Sequence, residues 1–396
     1  MSTIRQRSVV DRLWHAILDR SFLEVPRPTD APFAHSTGSD PYRVLVFGSG
    51  TAMGWGARSH ELALPGQLAR ELGDRTLRGV DVDLIADKCM TALSAIPALE
   101  GRLIAPYDAI VVSLGMTDSL RLLPARTFRA RMRAVLTELS ARTSSHARLV
   151  LLGMQPVQTI PLLENGGGRI LDRHARRLDE VLQALGSEFP KARHVAMSAG
   201  GCASHRSATA EHYRVWAGEI AAHLAPMLAE RAADVAPPFL DEPARLRAVR
   251  ELEKGTSLTH GALDKIAELA RSVFRADVAT ISLIDGERQR VLASAGMEVH
   301  ELPRSASLSQ YALGSRTAFV VSDTAADRRF RRMHATALGL RFYAGYPLHS
   351  PDGQPVGTLA VLAAEPRPRE AVDVDLLRDI AMLAQRELRT RTAVSA

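Results

Sequence analysis

From residue 43 onward, short uninterrupted apolar runs alternate with longer amphipathic stretches. "RVLVFG", "VDVDLIAD", "YDAIVVSLG", "ARLVLLGM" and "RHVAM" read as strands. Between and after them "LPGQLARELG", "ALSAIPALEGRL", "ARTFRARMRAVLTELSART", "ILDRHARRLDEVLQALGSEF" and "EHYRVWAGEIAAHLAPMLAE" read as helices. Strands that are apolar on both faces and separated by helices predict an α/β fold with a parallel sheet covered on both sides. Ligands of such a sheet bind beyond the carboxyl ends of its strands. The first strand ends there in a glycine-rich turn, "VFGSGTAMGWG".

The rhythm changes after "ADVAPPFLDEP", where a Pro pair and an acidic cap mark a boundary. "EPARLRAVRELEKG" predicts a charged helix with Leu246, Val249 and Leu252 on one narrow stripe, beside Arg245, Arg247 and Arg250. Such a stripe joins domains or pairs with its own copy, which predicts a homodimer. Beyond it come the amphipathic helix "HGALDKIAELARSVFRA", two strands joined across "DGER", and the strand "AFVVSDT". A hairpin turning at Pro351-Asp352-Gly353 and a closing helix, "DVDLLRDIAMLAQREL", follow. Short turns between strands with flanking helices predict an antiparallel sheet of the α+β class. The expected division is an N-terminal helix and linker over 1–41, an α/β domain over 42–230, a linker and lead-in helix over 231–253, and an α+β domain over 254–392.

Composition supports two domains and narrows the function classes. A chain of 396 residues with 46% hydrophobic content exceeds one ordinary core. The longest apolar runs are strand-sized, so no membrane span is expected, and the first 25 residues lack the apolar centre of a signal peptide. Two cysteines, Cys89 and Cys202, make neither a disulfide framework nor a four-cysteine zinc site. Together these predict a cytoplasmic location and no metal. The net charge is +6, yet the bases are almost all Arg, scattered among acids, with Lys only at 88, 191, 254 and 265. Unstriped charge of this kind does not predict nucleic-acid binding.

"VFGSGTAMGWG", "YDAIVVSLGMTDSL" and "SHRSATAEHYRVWAGEIAAHL" resemble the first, third and last sequence blocks of the SGNH, or GDSL-type, hydrolases, over about residues 42 to 230. The resemblance implies a three-layer α/β fold and a serine-based acyl-transfer site, but each catalytic position is substituted. The family's nucleophile falls on Gly50, its oxyanion asparagine on Thr117, and its Asp-x-x-His pair on Ser204 and Ser207. Glycine offers no nucleophile. The expectation is a non-catalytic domain.

Relocated chemistry is the alternative. Ser49 lies one residue early, with Asp118, His205 and His212 expected nearby, and triads are recognised by geometry. Cys202, three residues before His205, would serve as a thiolate if that histidine acted on it. Either would make the protein an esterase or acyl-transfer enzyme.

Residues from about 240 to 392 resemble a GAF domain. The resemblance rests on "FRADVATISLIDGERQRVLASAGM", "ELPRSASLSQYAL", "FVVSDTAADRRF" and "GLRFYAGYPLHSPDGQPVGTLAVLAAEPR". It implies a small-molecule sensing or dimerising module and no reaction of its own. Where many relatives carry Ser-Phe-Cys-Ala-His, this chain has Ser307-Leu308-Ser309-Gln310-Tyr311, which speaks against a covalently attached tetrapyrrole or a metal. The expected pocket residues are Ser309, Tyr311, Asp323, Phe342 and Tyr343, around a small molecule whose identity the sequence does not give. The combined expectation is a cytosolic sensory protein, a GAF module coupled to a non-catalytic SGNH-like domain, with output through a protein partner.

Overall fold

The computed structural model describes residues 25–38, 40–155, 168–198, 209–229, 241–255, 261–331 and 333–394. The chain divides into two compact units, with the main boundary between residues 231 and 232.

Among its described residues the first unit carries six strands, β1 (Phe33–Ser36), β2 (Tyr42–Gly48), β3 (Val80–Ala86), β4 (Ala109–Ser113), β5 (Arg148–Leu152) and β6 (Ala192–Val195). Their order is β1-β3-β2-β4-β5-β6. All neighbours from β3 to β6 are parallel, while β1 runs antiparallel to β3 and closes its edge. Among the described residues six α-helices accompany them: α1 (Leu64–Thr76), α2 (Ala95–Ala98), α3 (Met116–Leu120), α4 (Ala125–Arg142), α5 (Gly168–Glu188) and α6 (Ala210–Ala229). Val44, Val46 and Val111 pack with Leu68 of α1 and Trp216 and Ile220 of α6 in one core. The chain leaves β2 toward β3 on one side and reaches β4 on the other. Ligands of open α/β sheets bind at such a switch point, here the carboxyl ends of β2 and β4.

Two elements here differ from the sequence expectation. The helix expected over "ALSAIPALEGRL" shrinks to the single turn α2, which contains Pro97 and is followed by Gly101 at φ +75°. Strand β1 and helix α3 are additional, each too short to carry a periodic signal.

The second unit begins with α7 (Glu242–Gly255) and α8 (Gly261–Val273). The strands are β7 (Val278–Ile284), β8 (Arg288–Ala295), β9 (Glu301–Pro303), β10 (Phe319–Val321), β11 (Phe342–His349) and β12 (Pro355–Ala363). Between them lie the one-turn helices α9 (Ser309–Ala312) and α10 (His334–Ala337), and α11 (Val374–Val394) closes the unit. The sheet order is β10-β11-β12-β7-β8-β9 and every pairing is antiparallel. Helix α8 packs on β7 and β8, and α11 on β11, α8 and α7.

Helix α7 corrects one step of the sequence argument. Its apolar stripe is covered by the chain itself: Val249 and Leu252 are buried, and α7 packs on α11 and β12. Arg245 is also fully buried and donates to Glu242 Oε2 at 2.7 Å and to the carbonyls of Ile284 and Asp285. The stripe therefore stabilises its own unit. Among the described residues no helix is long and apolar enough to cross a membrane.

Candidate functional site

At the carboxyl end of β2 the backbone turns under close constraint. Gly48 has φ +141°, and a Cβ there would fall 2.0 Å from the carbonyl oxygen of Ser113, so the ends of β2 and β4 meet only because it is glycine. The Ser49 amide donates to Ser113 O at 2.8 Å, and the Ser113 hydroxyl donates back to Ser49 O at 2.8 Å. These bonds aim Ser49 inward, where it is 1% exposed.

The Ser49 hydroxyl accepts a hydrogen bond from Thr117 Oγ1 at 3.3 Å, and no histidine or carboxylate bonds it among the described residues. Gly50 follows at φ +61° with no side chain, and an added Cβ would have only Met116 Cβ near it, at 3.6 Å. Asp118 is buried, and its Oδ2 accepts the Ala92 amide at 3.0 Å. Burial pushes its carboxyl from 3.8 up to about 6, against the pull of the Ala92 N–H and of Arg131 and Arg121. His212 Nδ1 accepts from the Thr209 amide at 2.9 Å and is 2.8 Å from its hydroxyl, which places the ring proton of the neutral form on Nε2. Among the described members of the relocated set, Ser49 bonds Thr117, Asp118 bonds the Ala92 amide and His212 bonds Thr209. Cys202, Ser204, His205 and Ser207 lie outside the described residues.

The second unit holds a half-open pocket, with an interior of about 60 Å³, between the sheet and the segment from Leu302 to Ser309, with α10 at its side. Its walls are mostly apolar, from Val278, Met297, Leu308, Leu340 and Leu362, with Thr280, Ser309 and Tyr343 among the polar groups. A run of buried polar side chains lies along and behind this wall. Ser282 Oγ sits 3.4 Å from Thr358 Oγ1 and accepts from Gln289 Nε2 at 2.9 Å. Ser307 donates to Gln289 Oε1, and its own oxygen accepts the Ser309 amide at 3.0 Å. Tyr343 donates to Ser309 Oγ at 3.1 Å. Burial pushes the Tyr343 phenol well above its usual range, so it stays protonated and serves as a donor.

Of the five residues expected at this pocket, Ser309 and Tyr343 line it and three do not. Phe342 is adjacent to Tyr343 in β11, so it points to the opposite face of the sheet, under the guanidinium of Arg367. Tyr311 is two positions from Ser309 in α9 and turns outward, 39% exposed, against Phe319 and Phe330. Asp323 pairs with Arg341 near the sheet edge and caps the Ala325 amide at 3.0 Å. Sequence reasoning missed Thr280, Ser282, Gln289 and Thr358. The signal was the polar pair Thr280 and Ser282, two residues apart on one face of a strand buried along its whole length. Among the described residues no three metal-ligating side chains cluster.

A model of the GAF domain matches residues 259–388, the span that contains β7 to β12 and this cavity. Residues 259–388 form a GAF domain. A cyclic di-GMP phosphodiesterase of Pseudomonas aeruginosa is 34% identical over 159 residues, which is 39% of this chain and 27% of that protein. The chain thus spans about a quarter of the length of this curated relative. Among solved structures, the GAF domain of an Acinetobacter phosphoenolpyruvate-protein phosphotransferase aligns with 36% of this chain and 91% of its own, at 19% identity and TM-score 0.27. A lipase from a goat rumen metagenome aligns with 46% of this chain and 96% of its own, at 14% identity and TM-score 0.39. The GAF domain gives the protein a sensory or regulatory module.

Proposed function

We propose that the protein is a small-molecule sensor in which the GAF cavity receives the signal and the N-terminal α/β unit, similar to SGNH hydrolases, transmits it without catalysing a reaction. The observation that carries this reading is the turn after β2. Gly50 has no side chain, and the neighbouring Ser49 hydroxyl is buried and bonded to Thr117. A serine attacks only when a base within hydrogen-bond reach takes its proton, and a threonine hydroxyl is no base at neutral pH. The similarity to a cyclic di-GMP phosphodiesterase over part of its length supports a regulatory setting; output through a protein partner is part of the proposal.

The test is hydrolysis of p-nitrophenyl butyrate by the purified chain, with fluorophosphonate labelling as a second readout. Neither should rise above a heat-inactivated control. Turnover abolished by Ser49→Ala would establish a relocated-serine esterase instead, and turnover abolished by Cys202→Ala a thiol enzyme.

A further inference from the structure

The polar groups of the GAF cavity specify what it accepts. Among its described lining residues there is no Lys, Arg, Asp or Glu. An anion held in that interior would lose part of its hydration and gain no countercharge, a cost that disfavours phosphates and carboxylates. His334 is exposed, on the short helix beside the cavity, and does not supply a buried cation.

Hydrogen-bond direction narrows the class further. Ser309 Oγ accepts from Tyr343, so its own proton remains to be donated, and no protein acceptor for it is present among the described residues. The Thr280 hydroxyl, 6% exposed in β7, lines the same cavity with no side-chain partner among the described residues. Gln289 and Ser307 are engaged with Ser282, the Ser309 amide and one another. The wall therefore presents two unused hydroxyl donors over an apolar floor.

Size sets the last limit. One water needs roughly 10–15 Å³ of such space, so a cavity of about 60 Å³ holds about four to six heavy atoms.

We propose that the GAF cavity binds an uncharged compound of about four to six heavy atoms, with a short apolar body and one hydrogen-bond acceptor of the carbonyl type. A phosphate or carboxylate placed in that interior meets no countercharge among its described walls. This inference rests on the reading of the cavity as the sensor site. Ligand entry matches the acceptor to Ser309 and Thr280 and lays the apolar body against Val278 and Leu362.

Near-isosteric probes test it on the full chain: butyramide and butan-2-one against sodium butyrate at pH 8, with cyclic GMP as the nucleotide. Saturation-transfer NMR reports contact, and the melting temperature reports binding to the native state. Butyramide and butan-2-one should give saturable transfer and raise the melting temperature, whereas butyrate and cyclic GMP should do neither. Thr280→Val should weaken butyramide several-fold while the unliganded melting temperature changes little; adding Ser309→Ala should weaken it at least tenfold and also lower that temperature, since the Tyr343 phenol loses its acceptor. Val278→Phe, or the milder Ala335→Leu should the first not fold, should abolish binding by filling the space.

Saturable binding of butyrate or cyclic GMP, lost in the filled variants and unmatched by the neutral probes, would overturn the ligand class and leave the sensor reading intact. No saturable binding by any probe, with a filled variant simply more stable than the parent, would make the cavity a packing void and overturn both.

Discussion

The carboxyl of Asp118 is shielded from water at the edge of the first sheet, and shielding disfavours its charged form, so its pKa rises from 3.8 to about 6. The native state then holds a proton that the unfolded chain has released. Stability attributable to this group is therefore full below pH 4, falls as the pH rises from 4 to 6, and is flat above. At 1.36 kcal/mol per unit the fall is about 3 kcal/mol. Asp118→Asn keeps an oxygen for the Ala92 amide and removes the titration. Urea unfolding of this variant should match the parent at pH 4 and exceed it by up to about 3 kcal/mol at pH 7.5. A parent curve already flat between pH 4 and 6 would remove the argument.

Two glycines of the same turn make a contrasting pair at this scale. Gly48→Ala drives a methyl into the Ser113 carbonyl, 2.0 Å away, and neither strand end can yield without breaking the sheet. Gly50→Ala meets only Met116 and pays the left-handed backbone penalty of about 1–2 kcal/mol. Thermal melting should show Gly50→Ala a few degrees below the parent and Gly48→Ala far lower or unfolded. The sequence marks both positions as glycine, yet only the approach of β4 to β2 distinguishes them.

Helix α7 shows what an element gains from its surroundings. Arg245 donates to Glu242 and to the carbonyls of Ile284 and Asp285, and Arg304 reaches the same carboxylate from beyond β9. The side-chain hydrogen bond from Arg245 and that from Arg304 hold the Glu242 carboxyl down at about 2. With a depressed pKa, that contribution is present above about pH 4.5 and is lost as the pH falls toward 2. Arg245→Ala leaves two carbonyls without their donor and should cost about 3–5 kcal/mol, read from the urea midpoint of the second unit. A loss under 1 kcal/mol would mean that water replaces the guanidinium. The stripe at Val249 and Leu252 is plain in the sequence. That it faces α11 and β12 of its own chain is not, because periodicity reports an apolar face and never its partner.

Strand β11 carries a further consequence. Tyr343 lies across Gly345, and a Cβ at that glycine would sit 2.2 Å from the phenol oxygen. Gly345→Ala should therefore push the ring off its bond to Ser309. Butyramide binding should fall, while the far-ultraviolet circular dichroism stays that of the parent. Unchanged butyramide binding would place the ring outside the ligand contacts.

Over the whole molecule the two units carry separate cores, and each substitution above belongs to one of them. Calorimetry of the full chain should resolve two transitions, because separate cores lose their packing independently. Asp118→Asn should move one of them at pH 7.5, and Arg245→Ala and butyramide the other. Movement of both transitions by each change would show that the units unfold together.

Fold class, the strand and helix succession and the GAF domain were legible in the amino-acid sequence, because apolar periodicity at 2 and 3.6 residues is written locally along the chain. The identity of Gly50 was legible too, and it carries the proposal that the first unit does not catalyse a reaction, since a hydrogen cannot attack. What required the tertiary structure were relations between distant residues. Ser49 meets Thr117 across 68 positions only because β2 and β4 lie side by side, and Tyr343 meets Ser309 across 34 only because α9 packs under β11. Phe342 and Tyr343 are neighbours in sequence and opposites in space. The pleat sends one to the packed face and the other to the cavity, and which face is which is set by what the folded chain lays against the sheet.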